Sequence, residues 1–470
     1  MGRFWRVSAL MLFVAAGGAA GFTFTVTADP RSNVATWDAV LAGINTKVGG
    51  PGAFHVSPGD IDPPQPLRQV IDTRFGPGAL WYPGVGNHEI ETVEDMLWIR
   101  AEYDTGNSVR TPLKYSTNQD GPAGCVQTTY SWDHENAHFI TLNEYWNGAT
   151  APGSDVATDG DIVPQLYDWL AADLAANTKP VVFVFGHEPA FPFHRHVGDS
   201  LDKYPAHRDA FWSLLETEAV QAYICGHTHV YSRYQPTLNS TWQIDVGNAG
   251  NDTDADGQTF ANIEVTPTQV KYEVWRNAGG LFALAETWTE PIGLRMRLNP
   301  TLVERAVYRG EGLPNDTFAI TPIGPGPLTY TIDDDADWLR VSPTGGTSTG
   351  ETDQIDIIYS DTRSVVDLPV GQYTATITVT SDDADNSPQR VTVKLSVQTV
   401  RPDFDGDGDV DMADFGHLQA CLTESGAPPL GPNCLDASVN GDGYVNSTDM
   451  AILLRCLSGA NIPAERTCDD

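Results

Sequence analysis

Phe22-Thr23-Phe24-Thr25-Val26-Thr27-Ala28-Asp29-Pro30-Arg31 is an apolar, β-like run that stops on a carboxylate. The figure recurs along the chain. The run 54–56 leads into Gly59-Asp60, and a weaker run, 81–85, leads into Gly86-Asn87-His88-Glu89. Further on, 181–185 precedes Gly186-His187-Glu188-Pro189, and 220–224 precedes Gly226-His227-Thr228-His229. Strand ends are where an α/β fold carries its functional loops. Asp, Asn and His placed there offer hard oxygen and imidazole donors, which suit iron, manganese or zinc. Any one of these histidines reads equally well as a satisfied core or surface residue. The set, nearly all just after a Gly or Asn at a strand end, does not.

In this order the blocks resemble the calcineurin-like metallophosphoesterases, a family that includes purple acid phosphatases. Its motifs run D-x-H, G-D, G-N-H-[DE], G-H and G-H-x-H, and four of the five match well. The resemblance implies an α/β (α+β) four-layer sandwich, two mixed sheets flanked by helices, with metals at the sheet edge. It implies hydrolysis of phosphate esters by a metal-activated water, using two divalent or trivalent ions of iron, manganese or zinc. Carried over by residue, Asp29 and His229 would bind metal 1, and Asn87, His187 and His227 metal 2. Asp60 would bridge both, since a neutral ligand cannot hold two dications together. His88 would face the phosphate as proton donor or transition-state stabiliser. Two cations roughly 3.5–4 Å apart lower the pKa of a bridging water and clamp the phosphoryl oxygens.

The first block departs from the family. Arg31 stands where a second ligand, His, is usual, and an arginine has no lone pair to give. Metal 1 is left with Asp29, Asp60, His229 and either water or a neighbour such as Asn33. Three readings compete: Arg31 binds the substrate phosphate in a bidentate way, metal 1 is weak or exchangeable, or the site is mononuclear. The first two together are favoured. Asp62 lies one residue earlier than the usual second carboxylate of its block, and reads as a loop residue.

Weaker candidates surround these blocks. Glu188, His194 and His196 lie in the Pro- and aromatic-rich loop 186–196 and are expected on the substrate wall, against the alternative of a merely structural loop. Asn143 and Glu144 end the strand-like run 138–142 and are candidates for the same face. Tyr231 and Arg233 follow the last motif and either reach substrate or pack.

The 470 residues suggest several domains. A formal net charge of −35 argues against a nucleic-acid or anionic-membrane partner. The chain begins Met1-Gly2-Arg3-Phe4-Trp5-Arg6, then an apolar run and Gly17-Gly18-Ala19-Ala20. This is a signal-peptide pattern over 1–21, too short to span a bilayer as a mature helix. It predicts a secreted, periplasmic or cell-surface protein. No other stretch is apolar enough for a membrane helix.

A hydrolase region is expected over 22–290. Helical patterns cover 34–46, stopped by Gly49-Gly50, then 161–176, with Asp161 as its N-cap, and 206–218. Runs 241–246 and 261–274 are expected as returning strands of a second sheet. Near Pro291 helical patterns end. Short strands split by Gly, Pro and Asp (317–321, 328–332, 354–359, 373–380 and 390–397) predict an all-β sandwich over 291–400. Pro327-Leu328-Thr329-Tyr330-Thr331, Asp337–Ser342 with Pro343, and Gly371-Gln372-Tyr373-Thr374-Ala375-Thr376-Ile377 resemble BACON-type immunoglobulin-like domains. Trp338 is expected as a core anchor, with sugar stacking as the alternative, and the region as a spacer or binding module.

Over 401–470, Asp403, Asp405, Asp407, Asp411 and Asp414 fall at positions 1, 3, 5, 9 and 12 of an EF-hand-like loop, with Gly408 at position 6 and Asp409 at position 7. The unit recurs 35 residues later as Ser438, Asn440, Asp442, Tyr444, Asn446 and Asp449. Apolar helices follow each loop, at 415–422 and 450–457. Asp at position 12 and the paired loop-helix units resemble a type I dockerin, a small all-α domain. That family implies two calcium ions and a cohesin-type partner. Ser447-Thr448 matches the pair such domains present; Met412-Ala413 does not. Ser438 replaces an anionic ligand, which weakens the second site. Cys421 and Cys456 sit at equivalent places in the repeats, followed by Cys434 and Cys468. Four cysteines allow three pairings, and repeat symmetry favours Cys421–Cys434 and Cys456–Cys468. Cys125 and Cys225 are either free or a third bridge; Cys225 is expected as a packed thiol.

Two other functional classes fit the same residues. In one, the catalytic domain is degenerate and the chain is a metal-binding scaffold component, as Arg31 would suggest. In the other, the enzyme is active and the tail is a purely structural calcium-binding stalk.

Overall fold

The computed structural model describes residues 21–102, 120–150, 156–238, 240–250, 257–309, 312–359, 365–423 and 431–469. The expected signal segment lies outside them, apart from Gly21. The chain divides into two compact units between Gly293 and Leu294.

In the first unit the order is β1 (Phe22–Val26), α1 (Val34–Val48), β2 (His55–Ser57), α2 (Pro64–Phe75), β3 (Trp81–Pro83), α3 (Val93–Glu102), β4 (Tyr130–His134), β5 (Ala137–Thr141), α4 (Pro164–Ala176) and β6 (Val181–Phe185). Then follow α5 (Pro205–Thr217), β7 (Ala222–Cys225), β8 (Ser232–Tyr234), β9 (Trp242–Asp245), β10 (Thr259–Val265), β11 (Gln269–Ala278) and β12 (Leu281–Pro291). They build two six-stranded mixed sheets, β12-β11-β10-β1-β2-β3 and β4-β5-β6-β7-β9-β8. Both are parallel at their centres, β1 with β2 and β5 with β6 and β7.

The sheets pack face to face on aromatic residues. Phe24 and Phe183 lie 5.1 Å apart, Phe54 and Phe139 5.1 Å, and Tyr82 stacks on Trp132 at 3.8 Å. Such buried rings dominate core energetics. Leu166, Leu170, Leu174, Phe211 and Leu215 of α4 and α5 cover the outer face of one sheet. Trp37, Leu41, Ile44, Leu67 and Ile71 of α1 and α2 cover the other. The result is a four-layer α/β/β/α sandwich. Parallel strands buried on both faces read as continuous apolar runs, which is how 181–185 stands out in the sequence.

Three local expectations change. The run 261–274 is not one strand but parts of β10 and β11, reversed at Thr266-Pro267-Thr268, where Thr266 Oγ1 takes the amide of Gln269 at 3.1 Å. Of the two runs expected in a second sheet, 242–245 joins the sheet of β4–β7, whereas β10 and β11 join that of β1. Asp161 does not cap α4, which starts at Pro164 after Val163; its carboxylate takes His207 Nδ1 at 2.9 Å instead. The αL residue Gly49 does end α1.

The second unit holds β13 (Arg295–Asn299), β14 (Leu302–Tyr308), β15 (Asp316–Ile323), β16 (Leu328–Asp334), β17 (Arg340–Ser342), β18 (Gly345–Ser348), β19 (Asp353–Ile358), β20 (Gly371–Thr380) and β21 (Gln389–Gln398). They form sheets β13-β15-β19-β17 and β14-β21-β20-β16-β18 around a single apolar core. Trp338 is buried there, stacked on Tyr359. Helices α6 (Met412–Cys421) and α7 (Ser447–Cys456) follow, each with a capping box. Disulfides join Cys421 to Cys434 and Cys456 to Cys468. Cys125 and Cys225 are buried and lie outside both disulfides. Among the described residues no helix is long and apolar enough to cross a membrane.

Candidate metal centre

Four strand ends of the first unit converge. β1 delivers Asp29, β2 Asp60, β6 His187 and β7 His227, and the loop after β3 brings Asn87. Asn87 Oδ1 lies 3.2 Å from both His187 Nε2 and His227 Nδ1. His187 Nε2 is 3.4 Å from Asp60 Oδ1 and 4.0 Å from Asp29 Oδ1. Ligand atoms of Asp29, Asp60 and His187 all lie within 4.8 Å of one another. Hence the two sheets, through the C-terminal ends of their parallel strands, supply one pocket.

Close approach demands special backbone. Asp29, Arg31, Asp60, His194, His196, His227 and His229 all have positive φ, between 42° and 74°. Such conformations cost free energy in non-glycine residues and gather at functional sites. Gly59 has φ 99°, and a Cβ there would come within 2.5 Å of the His187 ring. The G-D motif therefore needs its glycine for both torsion and space.

Electrostatics point to a cation. Burial, then the charges of Asp60 and Asp245, push the Asp29 carboxyl well above the usual carboxylate range. Burial raises Asp60 to about 6, despite the relief from His88 and Arg31. Burial holds His187 and His229 down to about 3 and His227 to about 2, in the neutral form that ligates metals. Crowded carboxyls beside neutral imidazoles form a donor set that fits a metal pair.

Arg31 and His88 close the pocket. Arg31 Nη2 lies 2.9 Å from His88 Nδ1, and its Nε 3.6 Å from Asp62. His88 Nε2 faces Asp60 Oδ2 at 3.7 Å. Asn33 is not at hand for metal 1, because its side chain takes the Thr36 amide and donates to Gly250 O.

The weaker candidates part company. His196 joins the site, its ring 4.1 Å from that of His227. His194 is exposed beside Phe193. Glu188, expected on the substrate wall, turns inward: it is buried and takes Tyr145 Oη at 2.7 Å and the Gly160 amide at 3.1 Å. Glu144 lies behind the ligand loop and accepts the amides of His187 (2.8 Å) and Glu188 (2.6 Å). Asn143 bonds Thr128. Tyr231 and Arg233 both reach Glu286.

Sequence reasoning passed over the residues that hold the loops. Glu89 takes the amides of Asp60 (3.0 Å), Ile61 (2.6 Å) and Gly86 (2.5 Å), joining two ligand loops. Asp245 takes Thr228 Oγ1 at 2.6 Å. The G-N-H-E motif already contained Glu89; Asp245 had no motif to mark it.

Residues 22–231 match the calcineurin-like phosphoesterase family. This part of the chain is a calcineurin-like phosphoesterase domain. It is homologous to purple acid phosphatases: over 212 residues the chain is 28% identical to Purple acid phosphatase 22 of Arabidopsis thaliana. That match covers 41% of this chain and 43% of the relative, so the chain spans less than half of the relative's length. Similar solved structures include GAP50, the anchor in the inner membrane complex of Plasmodium (13% identity, 58% of this chain and 89% of that one, TM-score 0.41). Another is Vacuolar Protein Sorting 29 from Cryptosporidium parvum (10% identity, 58% and 99%, TM-score 0.30).

Residues 401–458 match the dockerin type I domain, which implies calcium and a cohesin partner. In the first dockerin loop, Asp403, Asp405 and Asp414, and again Asp409, Asp411 and Asp414, bring carboxylate oxygens within 4.8 Å of one another. In the second, Asn440 Nδ2 donates to Asp442 at 2.9 Å, and Asp449 takes the amides of Asn440 and Asn446. Ser447-Thr448 and Met412-Ala413 are both exposed, at equivalent helix starts. Two disulfides beside them belong in an oxidising compartment.

Proposed function

We propose that this chain is a secreted, metal-dependent phosphoesterase whose dockerin docks it in calcium to a cohesin-type partner. The supporting observation is the convergence of Asp29, Asp60 and His187, whose ligand atoms lie within 4.8 Å of one another, with Asn87 Oδ1 3.2 Å from both His187 Nε2 and His227 Nδ1. In this reading 22–290 carries the chemistry, 291–400 is a BACON-like spacer or binding module, and 401–470 docks. Asp29, Asp60 and His229 would hold one ion, and Asp60, Asn87, His187 and His227 would hold the other. Bound there, such a pair would supply Lewis-acid activation of water and charge stabilisation at the phosphoryl oxygens.

The chain's own residues do the rest. Glu89 fixes the Asp60 and Asn87 loops relative to each other. Arg31 presents a guanidinium fork to the phosphate oxygens. His88, partly exposed at the pocket mouth, protonates the leaving oxygen or stabilises the developing charge.

Metal analysis of the purified chain, with a panel of mono- and diester substrates, tests this. Asp60→Ala and His227→Ala should each abolish hydrolysis while circular dichroism stays unchanged. Activity surviving both changes in metal-replete buffer refutes the assignment. A folded, metal-loaded chain inert on the whole panel favours the degenerate scaffold reading. Absence of calcium-dependent capture on cohesins favours a structural tail.

A further inference from the structure

A concavity of about 950 Å³ opens between the chain that follows His187 and the chain that follows His229. No proposed metal ligand lines it, yet both its walls hang from ligand loops. One wall is Phe191 and Phe193, on the loop that leaves His187. The other begins at Tyr231, two residues past His229, and follows β8 through Tyr234 to Leu238, with Trp242 at the back. The loops are tied together next to the metal site, where Arg195 Nη1 donates to Thr228 O at 3.2 Å. β8 starts opposite Asp245, the residue that takes the Thr228 hydroxyl, and runs outward along the free edge of its sheet. The concavity therefore leads away from the metal pocket.

Its chemistry is aromatic and close to neutral. Phe193 is 65% exposed, Tyr234 50% and Leu238 82%. Arg233 is the cation of the lining, and it is committed. It pairs with Glu286 through Nε at 2.9 Å and lies over the rings of Trp242 (4.7 Å) and Trp288 (4.4 Å). The wall is held in place: Gln243 accepts the Phe191 amide and donates to its carbonyl, both at 2.8 Å. Prebuilt concavities of about 300–1,000 Å³ hold whole small ligands, far more than a phosphate group requires.

We infer that this groove receives the leaving group of the substrate, and that the preferred phosphoesters carry a planar aromatic group of nucleoside size. The inference rests on the phosphoesterase reading for its reaction. Planar groups stack on Tyr234 and Phe193, and a neutral one meets no unpaired charge.

Adenosine 5′-monophosphate is the probe, with ribose 5-phosphate and glucose 6-phosphate as controls whose leaving oxygens are also alkyl alcohols. Base–aromatic stacking supports a kcat/KM ratio of about tenfold or more for the adenosine ester over either control. Tyr234→Ala and Phe193→Ala, both at exposed positions, should collapse that ratio, and Tyr234→Phe should keep it. Adenosine itself should bind the metal-loaded full-length chain in calorimetry and lose that binding in Tyr234→Ala. This arm reads the groove without hydrolysis, so an inert chain that binds adenosine overturns the phosphoesterase reading and retains the groove. Hydrolysis with no preference and no adenosine binding overturns the groove and spares the enzyme. Equal preference for glucose 6-phosphate, lost in the same variants, overturns the aromatic class in favour of a sugar.

Discussion

Arg31 and His88 meet with Nη2 2.9 Å from Nδ1, above the carboxylate of Asp60. A guanidinium only donates, so this contact requires His88 Nδ1 to accept and its proton to sit on Nε2, toward Asp60. Glu91 Oε1 lies 2.9 Å from the same Nδ1 and asks for the opposite tautomer. Arg31 and Glu91 thus compete for His88 Nδ1, and the tautomer that Arg31 favours is the one whose N–H faces the pocket.

Arg31→Ala should lower kcat/KM roughly 10–100-fold, the scale of a charge-assisted hydrogen bond, with metal content unchanged. Glu91→Gln in that background should recover part of the loss, because an amide N–H can donate to Nδ1. A different outcome is informative: if Arg31→His raises both metal occupancy and rate, the arginine is a defect in the metal 1 shell.

Glu89 is the acceptor for three buried amides on two ligand loops. Glu89→Ala leaves those N–H groups without partners, at roughly 1–3 kcal/mol for each buried donor and not additively. The melting temperature should drop by several degrees and metal content should fall with it. Glu89→Gln, which keeps one acceptor oxygen, should lose less on both counts. A Glu89→Ala variant with wild-type metal content and melting temperature would remove the staple from this account.

The candidate ligands were legible because their chemistry resides in residue type and because strand ends follow apolar runs. Asp29, Asp60, Asn87, His187 and His227 needed only order and position to be picked out. What holds them was not legible. Glu144 and Asp245 act by accepting amides or a hydroxyl from residues distant in sequence, and Glu89, although it stands inside the G-N-H-E motif, carries no sign that it also takes the amides of Asp60 and Ile61. Glu188 reads as a wall residue by its place after His187, but Tyr145 and Gly160 draw it inward from 43 and 28 residues away. In the run 261–274, apolar alternation on both sides hid the turn at Thr266-Pro267-Thr268, although proline and threonine are turn formers. The positive φ angles at Asp29 and His227 follow from packing four strand ends together, which no single segment encodes.

His138, near the start of β5, makes stability depend on pH. Burial opposes its charge, but hydrogen bonds to Asp133 (2.7 Å) and Asp173 (2.8 Å) outweigh that and raise it to about 9. Its folded value lies above the ordinary 6.5. The stabilisation is therefore complete below about pH 6.5 and disappears as pH rises through about 9, worth up to about 3 kcal/mol. Denaturant unfolding of the wild type should weaken between those limits. His138→Gln should flatten that part of the profile and be less stable at pH 6. Parallel profiles for the two proteins would refute the assignment.

The two dockerin loops should bind calcium unequally. The first offers Asp403, Asp405, Asp407, Asp411 and Asp414, whereas the second offers Asp442 and Asp449 among Ser438, Asn440 and Asn446. Ligand charge and rigidity tune affinity in such loops. Asp403 also organises the first loop, taking the amides of Gly406 and Gly408, each at 2.8 Å. Five crowded carboxylates repel one another without a cation, so binding there contributes more to folding. In the second loop, neutral side chains already satisfy Asp442, and less is gained. Calorimetry on the full-length chain with metal-site ions held constant should show two calcium events, with Asp403→Ala removing the tighter. Chelation should loosen the module further once the Cys421–Cys434 and Cys456–Cys468 bonds are reduced, because each closes a short loop. Two equal sites, or loss of the weaker one on Asp403→Ala, would show that charge count does not set the order.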